Sequence, residues 1–430
     1  MHRFIPSETA LVLGGGGAKG AYEIGVIEAL EHLGIRASSV YGTSIGALNA
    51  ALYAQGDLAL ALSVWDSIRL SDVVTPESIA LAEEAEELFD RPEKMLDFIT
   101  RNAQKKGVDT TPFSSMLRRC ISEDALRKSG VRFGLVATRF PSMAMVEKHL
   151  EDMAPGSLHD WLMASCACYP ALPMQAIGDQ RYIDGGYCDN VPVDMAVRAG
   201  AKQIIAVDIG RHHAHTQYAR RPNVTYIRAA HPLGGLLSFH PEVSRRSRAL
   251  GYNDAMRALG HLRGTHYSFD PIDAQQLRSR AQNFIVKLTQ FELQQGLSRK
   301  DASPLFALLE AELARGADAA DYLLRACELC ARALDVDPVP VYRFAEFTQA
   351  LRGKLPMQKA DAMLDSLLGG RIGVLFAPPQ PDKALVLACL YRLLERENGF
   401  SPLAMRTLKS FPQELLCALT LREVLEKPSP

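Results

Sequence analysis

Seven residues near the N-terminus, Gly14-Gly15-Gly16-Gly17-Ala18-Lys19-Gly20, hold five glycines, and they separate two segments of different period. Before them, ETALVL at 8–13 is an apolar run of strand length. After them, Ile24, Ile27, Leu30 and Leu33 fall on one helical face over 20–34, and Gly34 follows as a stop. The unit then repeats in shorter form. Residues 39–42 read as a strand, and an apolar helical run opens at Ile45 and continues to Tyr53. A strand that feeds a helix through a glycine-rich loop, then does so again through a tight turn, is the start of a parallel sheet with helices packed on it.

The second turn is Gly42-Thr43-Ser44-Ile45-Gly46, which fits G-x-S-x-G. Chemistry at such a turn needs an exposed serine hydroxyl, flanking glycines that let the backbone pass, and a helix N-terminus that favours negative charge. A helix-capping serine beside turn glycines has the same spelling. The glycine run at 14–20 has several readings. A phosphate loop would need G-K-[ST], but Lys19 is followed by Gly20 and Ala21. Gly15-x-Gly17-x-x-Gly20 has the spacing of a dinucleotide loop, which also wants an acidic residue about 20 residues on. The chain offers the 42–46 turn there instead. The third reading is an oxyanion hole, in which the amides of Gly15, Gly16 and Gly17 bond a developing negative oxygen.

A nucleophilic serine needs a base. Asp184-Gly185-Gly186 ends a short strand at 182–184, where the glycines leave room for a close approach; Asp-Gly is also a strong turn dipeptide. An aspartate serves as a base near neutral pH when partial burial raises it. His212, His213 and His215 follow a strand at 204–208 and would complete the order Ser…Asp…His. In α/β-hydrolases, however, the nucleophile turn follows several strands, whereas here it follows one strand and one helix. The histidines read as an exposed loop.

Further along, 58–100 reads as helical, with 79–98 a candidate cap, and another helix starts after Pro112. Residues 131–138 read as a strand with a hairpin partner at 142–148, 158–168 as a helix, and 204–208 and 224–227 as strands. Residues 234–239 (GGLLSF) read as a buried turn or an apolar rim. Beyond about 275 helical periodicity takes over, broken by Pro and Gly at 369–381. The expected organisation is a catalytic domain over 1–272 and an all-α domain of unassigned role over 273–430.

Lys and Arg total 48 against 49 Asp and Glu, so no charge excess draws the chain to nucleic acid or anionic lipid, and any membrane contact must come from a local apolar patch. No secretory leader is read at the N-terminus and no apolar run is long enough to span a membrane. Eight scattered cysteines, with Cys327-x-x-Cys330 the only C-x-x-C, read as reduced core residues of a cytoplasmic protein. No metal site is expected.

The three motifs in this order resemble the patatin-like phospholipase family, whose pattern is a glycine-rich oxyanion loop, G-x-S-x-G and D-G-[A/G]. Gly15 to Gly20 (with Gly15, Gly16, Gly17 and Gly20 the glycines concerned), Gly42 and Gly46 around Ser44, and Gly185 and Gly186 after Asp184 carry the match. Gly107-Val108-Asp109-Thr110 before Pro112, Ala164-Ser165-Cys166-Ala167 with Pro170 and Pro173, and Asp189-Asn190-Val191-Pro192-Val193 extend it over roughly residues 8–260. The resemblance implies a three-layer α/β/α sandwich with a mainly parallel sheet. It also implies a Ser44–Asp184 dyad without histidine, no metal or organic cofactor, and hydrolysis of acyl esters in phospholipids or lysophospholipids through an acyl-enzyme. Its partners would be a lipid or acyl-ester substrate and, peripherally, a membrane. The competing readings are a nucleotide-binding protein using 15–20 and a non-catalytic lipid-binding protein.

Overall fold

The computed structural model describes residues 8–87, 108–210, 217–271, 274–294, 304–313, 316–368, 382–396 and 410–425. The chain divides into two compact units, Met1–Leu259 and Gly260–Pro430. The first unit opens as its sequence pattern dictates: β1 (Thr9–Leu13), the glycine loop, α1 (Ala21–His32), β2 (Ser39–Thr43) and α2 (Ile45–Ala54). Then come α3 (Leu58–Ser67), α4 (Ile79–Glu87), α5 (Thr111–Cys120) and α6 (Glu123–Lys128). The hairpin β3 (Arg132–Phe140) and β4 (Ala144–His149) leads into α7 (Leu158–Ser165), β5 (Gln175–Ile177) and β6 (Gln180–Asp184). The unit closes with α8 (Val193–Arg198), β7 (Gln203–Asp208), β8 (Val224–Arg228) and α9 (Pro241–Ala258). His212, His213 and His215, and the part of the 79–98 helix beyond Glu87, lie outside the described residues.

The strands form one sheet in the order β5-β6-β3-β2-β1-β7-β8, with β4 paired to β3. The run β3-β2-β1-β7-β8 is parallel, whereas β4, β5 and β6 are antiparallel additions at the β3 end. β1 is central and apolar throughout because both its faces are covered. Ala10 and Val12 join Tyr41, Val136, Val193 and Ala206 in one cluster, while Leu11 and Leu13 are fully buried on the other face. Helices therefore sandwich the sheet.

Helix α9 was not anticipated from sequence, because Leu250 is the one large apolar residue it buries and the rest are Ser244, Ser247, Gly251, Asn253, Asp254 and Ala255. The small residues among them let α9 lie against α1 at backbone contact. A Cβ on Gly25 would stand 1.9 Å from the Arg248 carbonyl oxygen, and one on Gly251 would stand 1.9 Å from that of Tyr22. The Tyr22 hydroxyl donates to Asp254 Oδ2 across the same seam at 2.7 Å. Gly25→Ala is expected to destabilise the unit by about 3 kcal/mol or more, since backbone cannot yield as a side chain can; urea unfolding checks it.

The second unit contains α10 (Ala274–Gln294), α11 (Pro304–Glu310), α12 (Ala319–Ala333), α13 (Phe344–Lys354), α14 (Met357–Leu368), α15 (Lys383–Arg396) and α16 (Pro412–Leu425). Cys327, Cys330, Cys389 and Cys417 are buried, free thiols in its core. It is not purely helical: β9 (Ser268–Phe269) pairs in parallel with β10 (Val341–Tyr342). Tyr267, Phe269 and Tyr342 pack around Phe347 there. This pairing attaches residues 260–271 to the C-terminal unit, upstream of the division expected after 272.

Candidate active site

Ser44 and Asp184 are 140 residues apart, and β3 brings them together. β4 occupies one edge of β3 from Gly134 to Arg139. The other edge is shared: β2 pairs in parallel up to Thr43–Val136, and β6 pairs antiparallel from Asp184–Ala137 onward. The C-terminal ends of β2 and β6 thus meet head-on at consecutive β3 residues. Their next side chains join directly, the Ser44 hydroxyl donating to Asp184 Oδ2 at 2.6 Å.

The serine sits at a strained turn. Its φ is 55°, in the left-handed region that a non-glycine residue enters at a cost of order 1–3 kcal/mol. Surrounding contacts hold it there. A Cβ on Gly42 would lie 2.3 Å from the Gly46 carbonyl oxygen, and one on Gly46 would lie 2.4 Å from that of Leu13, so both glycines are sterically required. The Ser44 amide donates to Ser165 Oγ at 2.9 Å, and Ser165 donates in turn to the Val136 carbonyl at 2.6 Å. Ser165 thereby ties the turn to β3.

Asp184 is buried, with 6% of its surface exposed. Its Oδ1 accepts the Gly186 amide at 2.7 Å, and its own amide donates to the Ala167 carbonyl at 2.8 Å. Burial raises its pKa from the usual 3.8 to about 6, against the opposing bonds from Ser44 and Gly186. Gly185 passes under Val136, where a Cβ would meet its carbonyl oxygen at 2.3 Å.

The glycine loop runs beside this pair, and its amides divide into two sets. Gly14 N–H donates to the Val207 carbonyl and Gly15 N–H to that of Asn190, each at 3.0 Å. Ala18 N–H donates to Leu236 at 2.7 Å. Gly15 is therefore not a free donor, contrary to the sequence expectation. Its lack of a side chain instead admits Asn190 Oδ1 and Ser44 Cβ, 2.6 and 3.1 Å from where its Cβ would be. Gly16 and Gly17 N–H have no acceptor among the described residues. Below Gly20, Asn49 Nδ2 donates to the Gly20 carbonyl at 3.0 Å and to the buried Glu23 at 2.8 Å, and Trp65 Nε1 donates to Asn49. Burial raises the Glu23 carboxyl well above its ordinary range.

Residues 11–197 match the family described as Patatin-like phospholipase. These residues carry a patatin-like phospholipase domain. Patatin-like phospholipase domain-containing protein 6 of Mus musculus is 30% identical over 203 residues, 47% of this chain and 13% of that protein. Lysophospholipase NTE1 of Phaeosphaeria nodorum is 28% identical over 279 residues, 63% of this chain and 17% of that protein. The chain thus spans only a small part of these relatives. Among solved structures, VipD from Legionella pneumophila aligns over 99% of this chain and 93% of its own, with 16% identity and a TM-score of 0.36.

In this patatin-like domain Ser44 opens into a narrow cleft with about 40 Å³ of room. Its walls are apolar: Ile68, Val73, Phe113, Leu172, Leu237 and Phe239 surround the hydroxyl, with Cys166 and Cys168 beside it. The segment weighed from sequence as a buried turn or a lipid rim therefore lines the cleft at Ser44. One carboxylate holds it: Glu86 Oε1 on α4 accepts the Leu236 amide at 2.5 Å and the Leu237 amide at 3.2 Å. No sequence signal marked Glu86. Ser165 was visible only as part of a motif, without a task.

Proposed function

We propose that this domain is a lipid acyl hydrolase that cleaves carboxylic esters of phospholipids or lysophospholipids. The 2.6 Å bond between Ser44 Oγ and Asp184 in an apolar cleft carries the reading. The ester carbonyl lies at Ser44 and the first carbons of the acyl chain meet Leu172, Leu237 and Phe239, which must move apart to admit the rest of the chain into a cleft of about 40 Å³. As Ser44 Oγ bonds to the carbonyl carbon, Asp184 Oδ2 accepts its proton. The oxygen that becomes negative lies toward the free amides of Gly16 and Gly17. Collapse breaks the bond to the leaving alcohol, which takes the proton from Asp184. Water then gives a proton to Asp184 and attacks the acyl-enzyme, and Ser44 recovers its hydrogen as the fatty acid departs.

Ser44→Ala is expected to abolish release of fatty acid from lysophosphatidylcholine, measured by lipid mass spectrometry, while the melting profile stays intact. Unchanged release would end the proposal. The pH dependence follows from the base. Asp184 must be ionised to accept a proton, so kcat/KM should rise about tenfold per pH unit below about 6 and level off above it. A profile flat from pH 4.5 to 8, a range chosen to bracket about 6, would remove Asp184 from the role.

The nucleotide reading has less support. Amides that a phosphate cradle would leave open, those of Gly14, Gly15 and Ala18, are bonded to protein carbonyls.

A further inference from the structure

Isolated apolar side chains on a surface are ordinary, but a cluster is not. Among the described residues of the N-terminal unit, the exposed large hydrophobics are Phe140, Met143, Met145, Tyr187 and Val197. All except Val197 converge on one place. Phe140, Met143 and Met145 form the tip of the β3–β4 hairpin, and Tyr187 lies in the turn after Asp184. The two segments are joined by the Cys188 thiol, which donates to the Met143 carbonyl at 3.2 Å. Pairing of Thr138 with Met145 and of Phe140 with Arg181 puts Met145, Phe140 and Arg181 on the same face of the sheet. The patch also reaches the cleft: the Tyr187 hydroxyl donates to the Tyr169 carbonyl, and Cys168, the preceding residue, lines the cleft wall.

Cations rim this patch. Arg139 and Arg181 are exposed, Arg181 on the face of Phe140 and Met145 and Arg139 on the opposite face of the same strand end, so they stand on either side of the tip, and neither pairs with a described carboxylate. Asp179 stands in the β5–β6 turn, two residues before Arg181 and at the same end of the sheet as the hairpin tip, and Glu147 further along β4 is held by Arg198. An apolar tip flanked by unpaired arginines complements a layer of lipid that is apolar inside and anionic at its surface.

We propose that the Phe140–Met143–Met145–Tyr187 surface is the face by which this domain docks on an anionic phospholipid bilayer. The proposal rests on the acyl-hydrolase reading for its purpose, since docking there brings the bilayer to the mouth of the Ser44 cleft. The apolar side chains enter the headgroup boundary, and Arg139 and Arg181 meet lipid phosphates.

The test uses the full chain. Vesicle co-sedimentation is measured in a Ser44→Ala background, with phosphatidylcholine alone and with phosphatidylcholine mixed with phosphatidylglycerol. The double variant Met143→Asn, Met145→Thr removes the apolar tip while keeping residues that suit a φ of 55° at 143 and a strand at 145. Its vesicle affinity should fall about tenfold or more. Arg181→Gln should cost about fivefold on the anionic vesicles and nothing on phosphatidylcholine alone. With Ser44 restored, the double variant should hydrolyse a monomeric short-chain ester at the unaltered rate, which also certifies its fold. Vesicle binding equal to that of the parent would overturn the proposal. So would a parent that binds neither vesicle, or a parent dimer that the variant converts to monomer, since the patch would then face a second copy. Failure of the intact chain to cleave the monomeric ester, with patch-dependent vesicle binding retained, would remove the hydrolase reading and leave the docking surface standing.

Discussion

Asparagine at position 184 will leave a folded protein that hydrolyses esters at least about 10⁴-fold more slowly than its parent. The amide can still accept the Gly186 N–H and meet the Ser44 hydroxyl, so the turn keeps its shape, but it cannot take a proton. The same substitution should stabilise the fold at neutral pH. In the native domain the Asp184 carboxyl is raised by burial from 3.8 to about 6, so its ionisation opposes folding. Stability held by the neutral carboxyl is complete below pH 3.8 and is lost as pH rises through about 6. The advantage of the asparagine variant should therefore grow by about 3 kcal/mol from acid to neutral pH, and urea midpoints on either side of that window measure it. A site that gives up stability to keep a strong base in an apolar pocket is what a proton-accepting role requires.

The second large effect is expected at Gly17. Its φ is 58°, and a Cβ there would stand 2.2 Å from the Leu236 carbonyl oxygen, which accepts the neighbouring Ala18 amide. Gly17→Ala must push the loop and the 233–239 segment apart, turning the Gly16 and Gly17 amides away from the oxyanion position. Loss of one such donor typically costs 10²–10³ in kcat, about 3 kcal/mol or more of barrier. The ground-state ester gains little from those amides, so KM for a monomeric ester should change much less than kcat. Equal losses in both would mean that Gly17 shapes the cleft and not the developing charge.

Much of the fold's opening was legible because it is local. A strand, a glycine-rich loop and an amphipathic helix leave little choice, and β1, α1, β2 and α2 stand where the pattern places them. The long helices beyond 275 were readable for the same reason, from their apolar period. Elements whose reason is tertiary were not. α9 hides a serine- and glycine-faced seam that no hydrophobic count detects, and the two-residue strands β9 and β10 exist only through each other. At the site, Ser44 and Asp184 could be named from their glycine neighbours, but their meeting depends on β2 and β6 sharing one edge of β3. That register is a property of the whole sheet. Gly15 illustrates the opposite limit: a glycine in an amide-rich loop reads as a donor, yet its N–H is taken by Asn190 and its value is the space it leaves. The 234–239 segment was legible as apolar but not as the cleft wall that Leu237 and Phe239 form, and Glu86, which fixes it, carries no local signature at all.

The account turns on Ser44 as an activated nucleophile, and covalent capture tests that claim most directly. Intact-mass and peptide analysis after treatment with a fluorophosphonate should find one adduct, on Ser44. The adduct should form quickly above pH 6, slow markedly in Asp184→Asn, and be absent from Ser44→Ala. Labelling at another residue, or labelling of Ser44 that proceeds equally fast without the Asp184 carboxylate, would contradict the account.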